Sequence, residues 1–211
     1  MRITKLGHCC LVIEENETRI MTDPGVYSTL QDEAQNIDYI CITHEHSDHF
    51  HLESLKVVLG NNPRAKIITN RAVGKLLHAQ EIPFILLEQS KKGQFGGVEV
   101  EGCGERHEVI YEDFGQVQNT GYFFANRFFY PGDAFYVPRE EVEILALPVA
   151  GPWMKISDAI AYAAEVKPKV AFPVHDGMLK FNRVIRMVPQ AFLPPLGISF
   201  VDILEGETRD F

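Results

Sequence analysis

Tyr39-Ile40-Cys41-Ile42-Thr43-His44-Glu45-His46-Ser47-Asp48-His49-Phe50 sets an apolar, strand-like run directly before three imidazoles and a carboxylate. Neutral imidazole and carboxylate are the borderline-to-hard donors that zinc, manganese and iron accept. Donors packed this densely at the end of a strand predict a metal-holding loop, not an ordinary polar turn.

Other donors lie further along. His107 follows the Glu101 to Glu105 turn, Asp133 ends Tyr130-Pro131-Gly132-Asp133, and His175 lies in Phe172-Pro173-Val174-His175-Asp176-Gly177. Each follows a predicted strand, and strand ends are where side chains can converge on one rim. His51 and His78 are assigned to structure, the first at a helix start and the second on a helix flank. Asp176 reads as turn chemistry beside His175, and Trp153 reads as a core plug ahead of a substrate-facing ring.

Around these motifs the first quarter reads as a meander of strands at Arg2 to Lys5, Cys10 to Glu14, Arg19 to Thr22 and Asp38 to Ile42. Helices are expected from about His51 to Leu59, from Asn70 as cap to about Ala79, from Ser157 as cap to about Val166, and over Phe181 to Met187. Strands are expected at Ala65 to Thr69, Phe84 to Leu87, Val98 to Gly102, Ile144 to Leu147, Val170 to Pro173 and Ile198 to Leu204. Tyr122 to Ala125 and Phe128 to Tyr130, apolar on both sides of an Asn126-Arg127 turn, predict a hairpin buried on both faces. Strand-rich then helical, twice over, predicts two sheets back to back with helices on both outer faces.

The 211 residues, 45% of them hydrophobic, suit a single domain over residues 1–211 with a sizeable core. A formal charge of -9 would repel a polyanion, so nucleic acid is a disfavoured partner. Cys9, Cys10, Cys41 and Cys103 form no C-x-x-C pair, and neither a leader segment nor a run long enough to span a bilayer is visible. The expectation is a cytoplasmic protein acting on a small molecule, free of the membrane, with homo-oligomerisation left open.

Leu6-Gly7-His8, Ile20-Met21-Thr22-Asp23-Pro24, Thr43 to Phe50, Asn119-Thr120-Gly121-Tyr122, Tyr130 to Asp133, Leu147 to Pro152 and Pro173-Val174-His175 resemble, in this order, the metallo-β-lactamase superfamily. The similarity spans nearly the whole chain and points to the compact metal-dependent hydrolase branch, which includes ascorbate-6-phosphate lactonase-like proteins. It implies an α/β fold, a four-layer αββα sandwich of two mixed β-sheets. It also implies one metal held by His44, His46 and His107, a second held by Asp48, His49 and His175, and Asp133 bridging the two opposite a hydroxide. Asp48 and Asp133 are then the candidate catalytic carboxylates. Asp23 is a candidate partner for a ligating imidazole, and His8 a group at the substrate rim or behind a ligand. The two divalent ions are zinc first, with manganese or iron also compatible.

The function implied is metal-dependent hydrolysis of a small ester, lactone or phosphoester. The alternatives are a nuclease or nucleotide phosphodiesterase of the same superfamily and a metal-binding protein without turnover. The first lacks the protruding substrate arm of tRNA-processing relatives. Di-iron oxygen or nitric oxide reduction is disfavoured, because flavodiiron proteins carry Glu where His46 stands here. Secreted β-lactamases do not use a bridging Asp at the place of Asp133.

Overall fold

The computed structural model describes residues 1–211. Its strands are β1 (Arg2–Lys5), β2 (Leu11–Glu15), β3 (Thr18–Thr22), β4 (Tyr39–Ile42), β5 (Lys66–Thr69), β6 (Phe84–Leu86), β7 (Lys92–Phe95), β8 (Val98–Cys103), β9 (Gly121–Phe124), β10 (Phe128–Tyr130), β11 (Ile144–Pro148), β12 (Val170–Val174), β13 (Ser199–Phe200) and β14 (Thr208–Asp210). The helices are α1 (Leu52–Asn61), α2 (Arg71–His78), α3 (Ile156–Val166) and α4 (Arg183–Phe192). One seven-stranded sheet runs β14-β1-β2-β3-β4-β5-β6, and the other runs β13-β12-β11-β10-β9-β8-β7. Both are mixed: β3 pairs antiparallel with β2 and parallel with β4, and β10 does the same with β9 and β11.

The alternation of side chains along each strand sorts the apolar residues into three cores. Ile3, Leu11, Ile13, Ile20, Cys41 and Ile68 of the first sheet face Tyr122, Phe124, Phe128, Tyr130, Ile144, Ala146 and Phe172 of the second. Neighbours of opposite parity, Val12, Met21, Ile40, Ile42 and Ile67, pack outward on Leu55 and Val58 of α1 and Val73 and Leu77 of α2. On the far side Phe123, Phe129, Leu145, Leu147 and Ala171 meet Ala159, Tyr162 and Ala163 of α3. Strands with apolar residues at both parities, such as β9 to β11, are therefore buried on both faces, and the architecture is the expected αββα sandwich.

Several local expectations are corrected. The hairpin turn begins one residue early: Ala125 and Asn126 both take φ near +51°, and Arg127 donates to the Phe124 carbonyl at 3.0 Å. Ser157 lies inside α3, whose first turn is closed by the Asp158 carboxylate accepting the Lys155 N–H at 2.7 Å. The last helix starts and ends later than expected, at Arg183–Phe192, and carries Pro189 within it. The closing strand shrinks to Ser199–Phe200, while two polar edge strands, β7 and β14, were not foreseen. Edge strands need bury little, so their sequences carry weak alternation.

Candidate metal centre

The loops after β4, β8, β10 and β12 meet at one rim of the sandwich, and they carry every candidate donor. His44, His46, His107 and Asp133 place one ligand atom each within 4.8 Å of one another. Asp48, His49, Asp133 and His175 do the same, so Asp133 is common to both groups. His44, His49, His107, Asp133 and His175 are buried, His46 is half-buried, and Asp48 is 16% exposed at its side chain.

The outer nitrogens of these rings are tied down by named partners. The Thr43 hydroxyl donates to Asp23 Oδ2 at 2.7 Å, so its lone pairs are free to accept His44 Nδ1–H at 3.0 Å. Asp23 Oδ2 also accepts His49 Nδ1–H and the Tyr130 hydroxyl, each at 2.7 Å, while Oδ1 accepts the Thr43 N–H at 2.8 Å. His107 donates Nδ1–H to the Glu108 carbonyl at 2.6 Å. Each bond fixes the tautomer that leaves an Nε2 lone pair facing the shared space.

Those inward atoms crowd together, with His49 Nε2 3.0 Å from Asp133 Oδ1. His44 Nε2, His49 Nε2, His107 Nε2 and Asp133 Oδ1 are buried and without a hydrogen-bond partner. Buried polar atoms are nearly always satisfied, so four orphans aimed at one space fit a cation. Burial holds His44 well below the ordinary imidazole pKa and lowers His46 as well, which keeps them in the neutral, ligating form. Burial alone would raise Asp133, but neighbouring His175 and His49 hold it well below the usual carboxylate range.

His8, Asp23 and Trp153 support the donors from behind. His8 Nδ1 accepts the Gly177 N–H at 3.0 Å, so Nε2 carries the proton and donates to Asp48 Oδ2 at 3.3 Å. Burial pushes its pKa down to about 4, so the ring is neutral at pH 7. Trp153 is buried, as a core plug would be, but its Nε1–H donates to Asp133 Oδ2 at 3.0 Å, which makes it part of the site.

Asp176 is no loose turn residue. It is buried, accepts Lys5 Nζ at 2.7 Å through Oδ1, and accepts Arg186 Nε at 2.8 Å through Oδ2. Lys5 also donates to the Pro173 carbonyl at 2.9 Å, and the His175 N–H donates to the His8 carbonyl at 3.0 Å. The turn is thus clamped on both sides of His175, which sits at φ +62°. Lys5 shares its face of β1 with the buried Ile3, and a lysine at an inward position was the signal that would have found this cluster. Glycine is required twice nearby. A Cβ on Gly132, at φ +65°, would meet Asn119 and Thr43, and one on Gly25 would overlap the Asp48 backbone.

His51 caps α1, accepting the Ser54 N–H, and His78 lies exposed on α2, as expected for structural residues. All four cysteines are free and buried; Cys9 lies within ligand reach of His8, His49 and His175, a neighbour the sequence reading did not include. No helix is long and apolar enough to cross a membrane.

The family model described as Beta-lactamase superfamily domain matches residues 2–175. Protein Rv0786c of Mycobacterium tuberculosis is 33% identical over 216 residues, which take in all of this chain and 95% of that one. A UPF0173 metal-dependent hydrolase of Alkaliphilus metalliredigens is 27% identical, with 98% of each chain covered. Igni18, a metallo hydrolase of the archaeon Ignicoccus hospitalis, superimposes with a TM-score of 0.78 over all of this chain and 98% of that one, at 19% identity, a likeness of fold alone. With the family model spanning most of its length and a relative alike from end to end, the chain belongs to the metallo-β-lactamase superfamily, in its compact branch.

Proposed function

We propose that this protein is a hydrolase with two divalent cations, cleaving a small ester, lactone or phosphoester. The observation that carries the reading is the pair of donor groups sharing Asp133, in which His44 Nε2, His49 Nε2, His107 Nε2 and Asp133 Oδ1 are buried without a hydrogen-bond partner. His44, His46, His107 and Asp133 would hold one ion, and Asp48, His49, His175 and Asp133 the other. When bound, the ions would supply a hydroxide at neutral pH, by lowering the pKa of a shared water towards about 7, and polarise the oxygen of the scissile group.

The remaining tasks fall to the chain itself. Among Asp23, Asp48 and Asp133, Asp48 is the most open to solvent, and its pKa is lowered, against the effect of burial, by the His8 bond and His49. It is ionised at neutral pH and placed to orient the attacking water through an Oδ atom. His8 cannot take up a proton at pH 7, so it serves as a fixed donor that aims Asp48. Trp153 Nε1–H fixes the rotation of the Asp133 carboxylate.

Histidine and carboxylate donors suit zinc, and manganese or iron also fit. Similarity to a protein named a metal-dependent hydrolase supports the same reading. Four free buried thiols suit the reducing cytoplasm, and the acidic net charge suits a small-molecule partner over nucleic acid. The test is metal analysis coupled to a screen of ester, lactone, thioester, phosphomonoester and phosphodiester substrates with each metal restored. Turnover that vanishes on chelation and in Asp48→Asn supports the proposal; metal-independent turnover, or an Asp48→Asn variant of full activity, refutes it.

A further inference from the structure

Which side of the centre admits substrate follows from exposure. His44, His49, His107, Asp133 and His175 are each no more than 3% exposed, whereas His46 is half-buried and the Asp48 side chain is 16% exposed. Solvent therefore reaches the donors along the His46–Asp48 edge.

Both flanks of that edge carry large apolar side chains that the fold leaves uncovered. Beyond His107 the chain makes a hairpin excursion closed at its base by His107 N–H to the Val117 carbonyl at 3.1 Å and by Gln116 Nε2 to the His107 carbonyl at 3.2 Å. Its tip is a Tyr111–Phe114 bridge, and Val109, Tyr111 and Phe114 are 58%, 69% and 73% exposed. The excursion returns beside His46: a Cβ on Gly115 would lie 3.8 Å from His46 Cε1. On the opposite flank Val26 donates its N–H to the Ser47 carbonyl at 2.9 Å, and the Tyr27 ring stands edge-on to His8 with centroids 5.3 Å apart. Tyr27 is 48% exposed.

Charge at the entrance points the same way. Glu45 lies within the donor string, and Glu112 and Asp113 sit between the two exposed aromatics of the hairpin. Together with a net charge of -9, these carboxylates oppose a phosphate monoester or another dianion. An uncharged substrate with an apolar tail meets no such penalty and covers apolar area that otherwise faces water.

The geometry points to an apolar subsite at the mouth of the centre, formed by Tyr27 on one flank and Val109, Tyr111 and Phe114 on the other, that selects neutral esters or lactones with a long acyl or aryl group. This rests on the hydrolytic reading above and narrows it. Water adds to the carbonyl carbon and gives up a proton, the acyl C–O bond breaks, and the alkoxide takes up that proton, leaving as the alcohol from an ester or staying tethered to the acid as a hydroxyl from a lactone.

The metal-loaded protein is assayed with 4-nitrophenyl acetate and 4-nitrophenyl octanoate. Binding of acetohydroxamate and octanohydroxamate is followed in parallel by the fluorescence of Trp153, the chain's one tryptophan. Octanoate is expected to exceed acetate in kcat/KM by at least about tenfold, and octanohydroxamate to bind at least about tenfold more tightly. In the Tyr111→Ser, Phe114→Ser double variant both ratios should fall towards one. Equal handling of the two chain lengths, or a preference that survives in the variant, overturns the subsite. So does sedimentation in which that variant separates an oligomer while the chain-length ratio stays unchanged, since the hairpin is then a contact between copies. Ester turnover without chain-length preference leaves the hydrolase reading standing and removes the subsite. A hydroxamate preference that disappears in the variant, with no ester turnover at all, supports the subsite and removes the ester reading.

Discussion

Replacing Asp23 with Asn tests whether one buried carboxylate holds the centre together. Asp23 is fully buried and accepts four hydrogen bonds, three of them on Oδ2 at 2.7 Å. An amide placed with its oxygen at the Oδ2 position keeps those three bonds in neutral form and turns its NH2 against the Thr43 N–H, which loses its acceptor. A charge-assisted bond weakened to a neutral one loses about 1 kcal/mol, and a buried donor left unpaired costs about 1–3 kcal/mol. The total is about 4–6 kcal/mol, a large share of the roughly 5–15 kcal/mol by which proteins are folded. For a chain of this size that lowers Tm by about 8–24 °C. His49 also exchanges an anionic partner for a neutral one, so competition with a chromophoric chelator should show one cation bound about 10–100-fold more weakly. Urea unfolding of the metal-free protein and the chelator titration measure the two effects separately. A loss below about 1 kcal/mol with unchanged metal affinity would show that Asp23 neither braces the loops nor orients His49.

Trp153→Phe keeps the packing against Phe135 but removes the donor to Asp133; metal affinity is expected to fall by up to about tenfold, and an unchanged chelator titration would show that the indole N–H does not set the carboxylate. Lys5→Met should weaken the cation at His175 and not the one at His44, visible as one metal retained per chain by a folded protein; equal loss of both would make the Lys5–Asp176 pair purely structural. Burial alone would raise the Asp176 pKa, but Lys5 and Arg186 depress it, so its contribution to stability is present above the unfolded value of about 3.9 and is lost as pH falls through the lower folded value. Acid unfolding of the wild type should steepen below about pH 4, and Lys5→Met should flatten that slope. Saturating metal should raise Tm by mass action and chelation should reverse it; a Tm indifferent to both would mean that the donors hold nothing.

The double-sided burial of β9 to β11 was legible because Phe123, Phe129, Leu145 and Leu147 interleave with Tyr122, Phe128, Ile144 and Ala146, leaving no polar face. The candidate donors were legible because His44, His46, Asp48 and His49 crowd one strand end and His107, Asp133 and His175 each follow a strand; the structure brings all seven of these side chains to one rim. What the sequence concealed depends on three-dimensional register. Tyr130 looked like core and is core, yet its hydroxyl reaches Asp23 across 107 positions of chain. Trp153 is a plug and a donor at once, and only the approach of two loops makes it the second. Asp176 and Arg186 declare themselves only when Lys5 arrives from β1, and β14 is a strand chiefly because β1 offers it an edge.

The proposed hydrolysis requires two cations that share Asp133. Anomalous diffraction from crystals of the metal-loaded protein tests it most directly. The expected result is two peaks about 3.5–4 Å apart, one within about 2.2 Å of His44, His46 and His107 and the other equally close to Asp48, His49 and His175. A single peak, or peaks lying away from Asp133, would mean that no pair of cations shares this carboxylate.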